Sequence, residues 1–572
     1  MYTTSTAFLE ALNEAGITYI FANFGSDHPA LLEAIAEARA NGRKIPQVVT
    51  APNEMVGMSA AHGFAQVTGQ PQLVLVHVEC GTQALAGAVH NAARGHVPML
   101  IFAGASPFTQ DGEMKGSRNE FIQWIQDVHD QRGIIRGYTK YDAEIRTGEN
   151  IKQVVHRALQ FTSTDPKGPV YLMGAREVME ADIANPVTIE PRHWRPVDPG
   201  ALTAGAIDRI LDHVEKAKRP LLVTSYAGRN PDAVPELVRF CERVGMGVHE
   251  SVPSALNIPH DHPLYLGNQW NEPYQDEALA EADFVLVVDS DVPWIPSHNK
   301  PAPGTPVVHI DVDPLKENMP LWYIGAEESV RADAQTALAQ LNAALDARAP
   351  DAKAVRARSK HYAAASEKRR AGIEALEVQS EGLITPEFLT ATVRRHIDPD
   401  NTIVLSEGIT NYTVIANHMR MTRPGSYFAS GGGSLGWNGG AAIGTKLAAP
   451  EKTVVALSGD GCYMFSIPST VHWMAGKYQT PFLQVVYNNG GWKAPRFSAL
   501  SVHPDGYVSR ANDLDLSFDP PPAYADIAAA SGGAWARKVD RPEDLDAAVA
   551  EALAVVRDEK RSAVLDVWLA PV

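Results

Sequence analysis

Two short apolar runs near the end of the chain constrain its fold most. Residues 453–458 (Thr-Val-Val-Ala-Leu-Ser) and 482–487 (Phe-Leu-Gln-Val-Val-Tyr) are rich in β-branched and aromatic side chains, as strands are. Each stops at turn-forming residues, Gly459-Asp460-Gly461 after the first and Asn488-Asn489 after the second. Residues 466–477 between them have a helical pattern, and 26 residues separate Gly461 from Asn488. That leaves room for one crossover helix and two loops. A right-handed strand–helix–strand crossover brings both strand ends to one edge of a parallel sheet. This is the edge where α/β sheets bind ligands.

The same alternation of short strand-like runs and longer helical patterns fills most of the chain. Strands are expected near 17–21, 47–50, 73–77 and 99–103, then 221–224, 284–289 and 307–311, then 403–406 and 563–568. A Pro-rich stretch at 185–199 reads as a linker, and residues 344–380, charged and Ala-rich, read as a helical connector. A chain of 572 residues exceeds one hydrophobic core. The expected fold is therefore α/β, three successive α/β domains with parallel sheets, at 1–185, 200–345 and 386–572, with the connector at 346–385.

The net charge of −17 argues against a nucleic-acid surface, which needs clustered Lys and Arg. No apolar run is long enough to span a bilayer, and the first residues form an amphipathic helix pattern rather than a signal peptide. Cys80, Cys241 and Cys462 lie far apart and match no metal or redox spacing. A cytoplasmic location is expected.

The residue types at the two strand ends suit a magnesium–diphosphate anchor. Magnesium takes hard oxygen ligands and uses one or two carboxylates when a phosphate shares it. Asp460 and an Asn carbonyl oxygen leave positions for phosphate oxygens and water, while Gly459 and Gly461 let backbone N–H groups approach the phosphates. Gly-Asp-Gly followed at this distance by Asn-Asn resembles the signature of the thiamine diphosphate enzymes. The likeness extends along nearly the whole chain, to the group of acetolactate synthase, benzoylformate decarboxylase and pyruvate decarboxylase.

The resemblance implies thiamine diphosphate and Mg2+ as cofactors, with Asp460, Asn489 and the backbone carbonyl of Gly491 as metal ligands. It implies that Glu54, in a segment similar to the family pattern of a Glu followed by a small-residue helix, shares a proton with N1′ of the aminopyrimidine. Burial is expected to favour that sharing by raising its pKa. In Gly431-Gly-Gly-Ser-Leu-Gly436 it makes Leu435 the wedge beneath the bent cofactor and the Gly433 carbonyl the acceptor for the 4′-amino group. It places Thr410, in Glu407-Gly-Ile-Thr-Asn411, on the diphosphate. The glycine segment also matches a dinucleotide pattern, but no clean strand–helix–strand unit surrounds it.

The substrate is less legible. His77 to Thr82 (His-Val-Glu-Cys-Gly-Thr) and Ser26 resemble benzoylformate decarboxylase, where the matching Ser and His handle the substrate carboxylate and protons. Acetolactate synthases read differently there. Ser26, His28 and His77 are the catalytic candidates beside Glu54, with His298 a weaker one. Gln83 lies just beyond His77. Trp437, Trp492 and Tyr463 are candidate pocket walls, and Lys493 and Arg496 candidate anion contacts. FAD in the central domain is possible in this family but not indicated by any motif. The expected activity is a 2-oxoacid decarboxylase or carboligase acting on a small 2-oxo acid or aldehyde. The alternatives are a lyase of 2-hydroxyacyl-CoA or diketone substrates and a non-catalytic regulatory homologue. The resemblance also implies a homodimer or homotetramer with active sites at the subunit interface.

Overall fold

A computed structural model describes residues 2–511 and 514–569. Three six-stranded, wholly parallel sheets follow one another along the chain, each covered by helices. In the first, strands β1 (Tyr19–Ala22), β2 (Gln47–Thr50), β3 (Leu73–Val76), β4 (Met99–Ala105), β5 (Tyr141–Ile145) and β6 (Pro169–Ala175) lie in the order β2-β1-β3-β4-β6-β5. The second has β7 (Pro220–Thr224), β8 (Gly247–Ser251), β9 (Tyr265–Gln269), β10 (Phe284–Val288), β11 (Val307–Asp311) and β12 (Glu328–Arg331), in the order β12-β11-β10-β7-β8-β9. The third has β13 (Thr402–Glu407), β14 (Tyr427–Ala429), β15 (Thr453–Gly459), β16 (Leu483–Asn488), β17 (Trp535–Val539) and β18 (Ala563–Trp568), in the order β14-β13-β15-β16-β18-β17. The α/β expectation holds throughout.

The interior strands are continuous apolar runs because helices cover both faces of a parallel sheet. Five strands that such runs do not announce (β5, β9, β12, β14 and β17) are sheet edges. Tyr-Asp-Ala-Glu-Ile and Glu-Ser-Val-Arg carry polar residues because one side of an edge meets solvent. β6 and β8, both interior, open on Pro169 and Gly247, residues that ordinarily punctuate a sequence. The connector holds the 23-residue helix Ala352–Glu374. The Gly459-Asp460-Gly461 segment is not a simple turn. Gly459 ends β15, and Asp460–Phe465 is a short helix before the crossover helix Pro468–Tyr478. His77 likewise lies just past β3, at the N-cap of helix Val78–Ala84. No helix among the described residues is long and apolar enough to cross a membrane.

The first and third sheets are joined by helix Glu54–Thr68 packed on helix Trp437–Ala448. The first is capped by the Asn53 side chain, which accepts from Val56 N–H, and ends at Gly69 in the left-handed conformation. The approach is very close. A Cβ at Gly444 would overlap the Ala60 carbonyl oxygen, and one at Gly63 would overlap the Ala441 carbonyl oxygen. Gly444→Ala is expected to cost about 1–3 kcal/mol through overpacking, read as a lower thermal midpoint. Gly372→Ala, in the connector helix where an added Cβ meets nothing within 4 Å, is expected to raise the midpoint slightly through helix propensity.

Candidate functional site

Two clusters of polar residues form, one at the carboxyl edge of the first sheet and one at that of the third. In the third sheet the pairing Glu407 with Ser458 and Gly459 with Tyr487 aligns the ends of β13, β15 and β16. The segment around Thr410, Asp460 and Asn489 therefore emerge side by side, as the crossover geometry requires. Asp460 is buried. Its Oδ1 accepts from Gly461 N–H at 2.8 Å and its Oδ2 from Gly491 N–H at 2.9 Å. Burial raises its pKa to about 6, against the pull of those N–H groups. A cation beside it would hold this carboxylate ionised.

The two asparagines divide their tasks. Asn488 donates to Asp566 Oδ1 at 2.8 Å and accepts from Gly490 N–H at 3.1 Å. Asn489 is equally buried, yet its Oδ1 has no protein partner. A buried carbonyl oxygen without a donor costs about 1–3 kcal/mol, and a hard cation beside Asp460 would satisfy it. Gly491 must be glycine: its φ is +153°, and a Cβ would overlap the Leu516 carbonyl oxygen. At Gly459 a Cβ would meet nothing within 4 Å, so the strand end is open to a ligand. Gly461 instead packs beneath the Trp492 indole.

The glycine loop before helix Trp437–Ala448 is held from two sides. Glu407, fully buried, accepts from the N–H groups of Gly436 (2.7 Å), Trp437 (3.1 Å) and Asn438 (2.8 Å) at the helix start. Burial raises its pKa to about 7 despite those bonds. Sequence reasoning assigned it no such role; the signal was its place at the end of a buried strand. From the first domain, His90 Nε2 accepts from Gly433 N–H at 3.0 Å, and the Asn91 amide exchanges bonds with Ser434. Gly433 is exposed and Leu435 half-buried. A cavity of about 420 Å³ borders this loop, lined also by Ile409, Tyr412 and Trp270, the last two stacked at 4.0 Å.

At the first sheet, Glu54, Ser26, His28 and His77 come together after β2, β1 and β3. Glu54 accepts from Asn23 Nδ2 at 2.7 Å and is half-buried in the single chain, less than the buried carboxyl expected. His77 Nδ1 lies 2.5 Å from Asp27 Oδ1, a partner that the sequence reading passed over. Hydrogen bonding to Asp27 raises the His77 pKa, opposed by burial. Burial lowers that of His28, whose Nδ1 accepts from Gly25 N–H. Ser26 Oγ is buried without a partner. Among the described residues no hydrogen bond or ion pair joins this cluster to Asp460 or Asn489.

Other candidates fall away. Trp437 is core, edge-on to His62, and Tyr463 bonds to His472 and the Tyr524 carbonyl inside the third domain. Neither lines the cavity beside the glycine loop. His298 is exposed. Gln83 bonds to Glu79, and Lys493 lies over Phe497, while Trp492 stays partly exposed. In the central domain a polar network lies just past the ends of β7, β10 and β11. Tyr226 OH donates toward Asp291 and Asp311, and Lys316 bonds to both carboxylates.

Residues 2–134, 207–341 and 408–567 match, respectively, the N-terminal TPP binding domain, the central domain and the C-terminal TPP binding domain of thiamine pyrophosphate enzymes. The chain belongs to the thiamine pyrophosphate enzyme family. It is 26% identical to benzoylformate decarboxylase of Pseudomonas aeruginosa, over 97% of this chain and 98% of that one. It is 24% identical to sulfoacetaldehyde acetyltransferase of Castellaniella defragrans, over 99% and 93%. Its fold matches that of the thiamine diphosphate-dependent 4-hydroxybenzoylformate decarboxylase of Rhodococcus jostii, with a TM-score of 0.80 at 22% identity, covering 100% of this chain and 99% of that one. The orphaned Asn489 oxygen, the buried Asp460 carboxylate and the open Gly459 fit a diphosphate carried with a divalent cation.

Asn489→Ala is expected to weaken magnesium-dependent retention of thiamine diphosphate by about tenfold or more, measured by calorimetry, with little change in melting. Asn488→Ala should do the reverse in emphasis, costing about 1–3 kcal/mol of stability by stranding Asp566.

Proposed function

We propose that this family member is a magnesium-dependent 2-oxoacid decarboxylase or carboligase. The observation that carries this reading is the grouping of Ser26 and His77 beside Glu54 at one sheet edge. A proton-exchanging imidazole and a hydroxyl without a partner suit a substrate with a carboxylate next to its carbonyl. The full-length similarity to benzoylformate decarboxylase supports it.

When bound, thiamine diphosphate supplies an electron sink for the bond broken next to a carbonyl. The chain's residues do the rest. Asp460, Asn489 and the Gly491 carbonyl would hold the cation, and Gly459 and the segment around Thr410 would receive the phosphates, with Gly461 bracing Asp460 through its N–H. The Gly433 carbonyl and Leu435 orient the aminopyrimidine end, and Glu54 holds the proton at its N1′. Ser26, His28 and His77 bind the substrate and move its protons, with Trp492 at the mouth. Cofactor-dependent C–C products formed from benzoylformate, pyruvate and paired aldehydes test the class. Cleavage of 2-hydroxyacyl-CoA instead would favour a lyase.

The family resemblance supports a site shared by two copies, Glu54 of one meeting Asp460 of the other. Exposed apolar side chains occur in both parts, Phe121, Trp124 and Ile125 in the first and Met464, Phe465 and Trp473 in the third. A homodimer or homotetramer is expected on sedimentation; an active monomer would contradict it. Glu54→Gln is expected to lower turnover by about 10²–10⁴-fold, the usual worth of a proton-transferring side chain, while thiamine diphosphate is still retained.

A further inference from the structure

We propose that Asp27 is a positioning residue for His77, fixing a proton on Nδ1 so that exchange with substrate passes through Nε2. This rests on the reading of His77 as a substrate-facing group. Asp27 is buried, and its two oxygens are committed in different ways. Oδ2 accepts from Val78 N–H at 3.1 Å, which anchors the carboxylate to the residue after His77. Oδ1 meets His77 Nδ1 at 2.5 Å. His28 Nδ1 is also near, at 3.2 Å, but it accepts the Gly25 N–H, so its lone pair is engaged and it has no proton there to give Asp27. Among the described residues His77 is thus the side chain that donates to this carboxylate through a ring N–H.

The pair is built into the backbone around it. A Cβ at Gly25 would overlap the His77 ring, and a Cβ at Gly104, on β4, would overlap the Asp27 carboxylate. Two strand-end glycines therefore clear the space that Asp27 and His77 occupy. Gln126, 2% exposed, also approaches His77, and its side chain favours the protonated ring.

The charged and titratable groups around His77 are few. Asp27 and His28 face it from the turn after β1, and Glu54 from the helix after β2. Glu79 and Cys80 follow on its own helix, and Tyr171 stands behind Asp27 on β6. His28 is held neutral by burial. The carboxylates of Asp27 and Glu54 both favour the protonated ring, with Asp27 in direct contact. The ring therefore keeps its second proton to a higher pH than a free histidine does. That stabilisation is present on the acid side and lost as pH rises through the raised value.

Asp27→Asn separates positioning from mere packing. The amide oxygen must keep accepting the Val78 N–H, which turns the NH2 toward His77 Nδ1 and makes that nitrogen an acceptor. The neutral ring then carries its proton on Nε2, the wrong tautomer for a base. The full-length protein labelled with 15N-histidine, with His77→Gln to assign the signal, reads this without substrate. In the native chain Nδ1 is expected to stay protonated while Nε2 titrates above the ordinary histidine range. In Asp27→Asn the midpoint is expected to fall by about one unit or more and the tautomer to switch. Turnover should drop about 10²–10⁴-fold, with the alkaline limb of the pH profile moved. An ordinary midpoint for His77 in the native chain overturns the proposal even if the variant does not fold. So does an unchanged tautomer in Asp27→Asn. Expected ring titrations without any 2-oxo acid turnover would count against the functional reading alone.

Discussion

Helix Glu54–Thr68 presses against helix Trp437–Ala448 at a distance that only glycine permits at Gly63 and Gly444. Much of the functional architecture hangs from that contact. Each helix begins at a proposed cofactor group, Glu54 on one and the Gly431–Gly436 loop on the other. Fixing the two helices against each other fixes the first domain's carboxylate relative to the third domain's loop. Because the contact is backbone on backbone, it has little side-chain freedom with which to absorb change. Hydrogen bonds from His90 and Asn91 to the loop add a second tie between the same two domains.

Two buried carboxylates in the third domain show how differently the protein treats charge. Glu407 is compensated inside the chain by three N–H groups at the start of a helix, where the backbone dipoles favour a negative group. Asp460 receives N–H bonds as well, yet sits beside an oxygen that has none. The first carboxylate locks the backbone. The second leaves an electrostatic demand that a bound cation would answer.

The parallel three-sheet fold was legible because interior strands of such sheets must be apolar on both faces, as in Thr453–Gly459 and Val307–Asp311. Edge strands such as Tyr141–Ile145 escaped because solvent relaxes that demand. In the site, Asp460, Asn489, Glu54 and His77 lie just past the ends of the strands read for them in the sequence. Asp27 and Gln126 were illegible. Their significance lies in contacts between segments 50 residues apart (Asp27 with His77) and 49 apart (Gln126 with His77), and no local pattern announces those. Trp437 and Tyr463 misled for the opposite reason: being next to a motif in sequence does not decide which side of a helix faces the ligand.

Asn488 and Asn489 stand next to each other with the same side chain, and the structure gives them opposite conditions, one saturated and one left wanting. Selection for a sturdy fold alone would preserve the first and readily replace the second, whose unpaired oxygen is a liability in the empty protein. The two letters of the motif thus record two separate pressures. A descendant that had given up its chemistry would be expected to show its loss first at position 489, while position 488 continued to read as though nothing had changed.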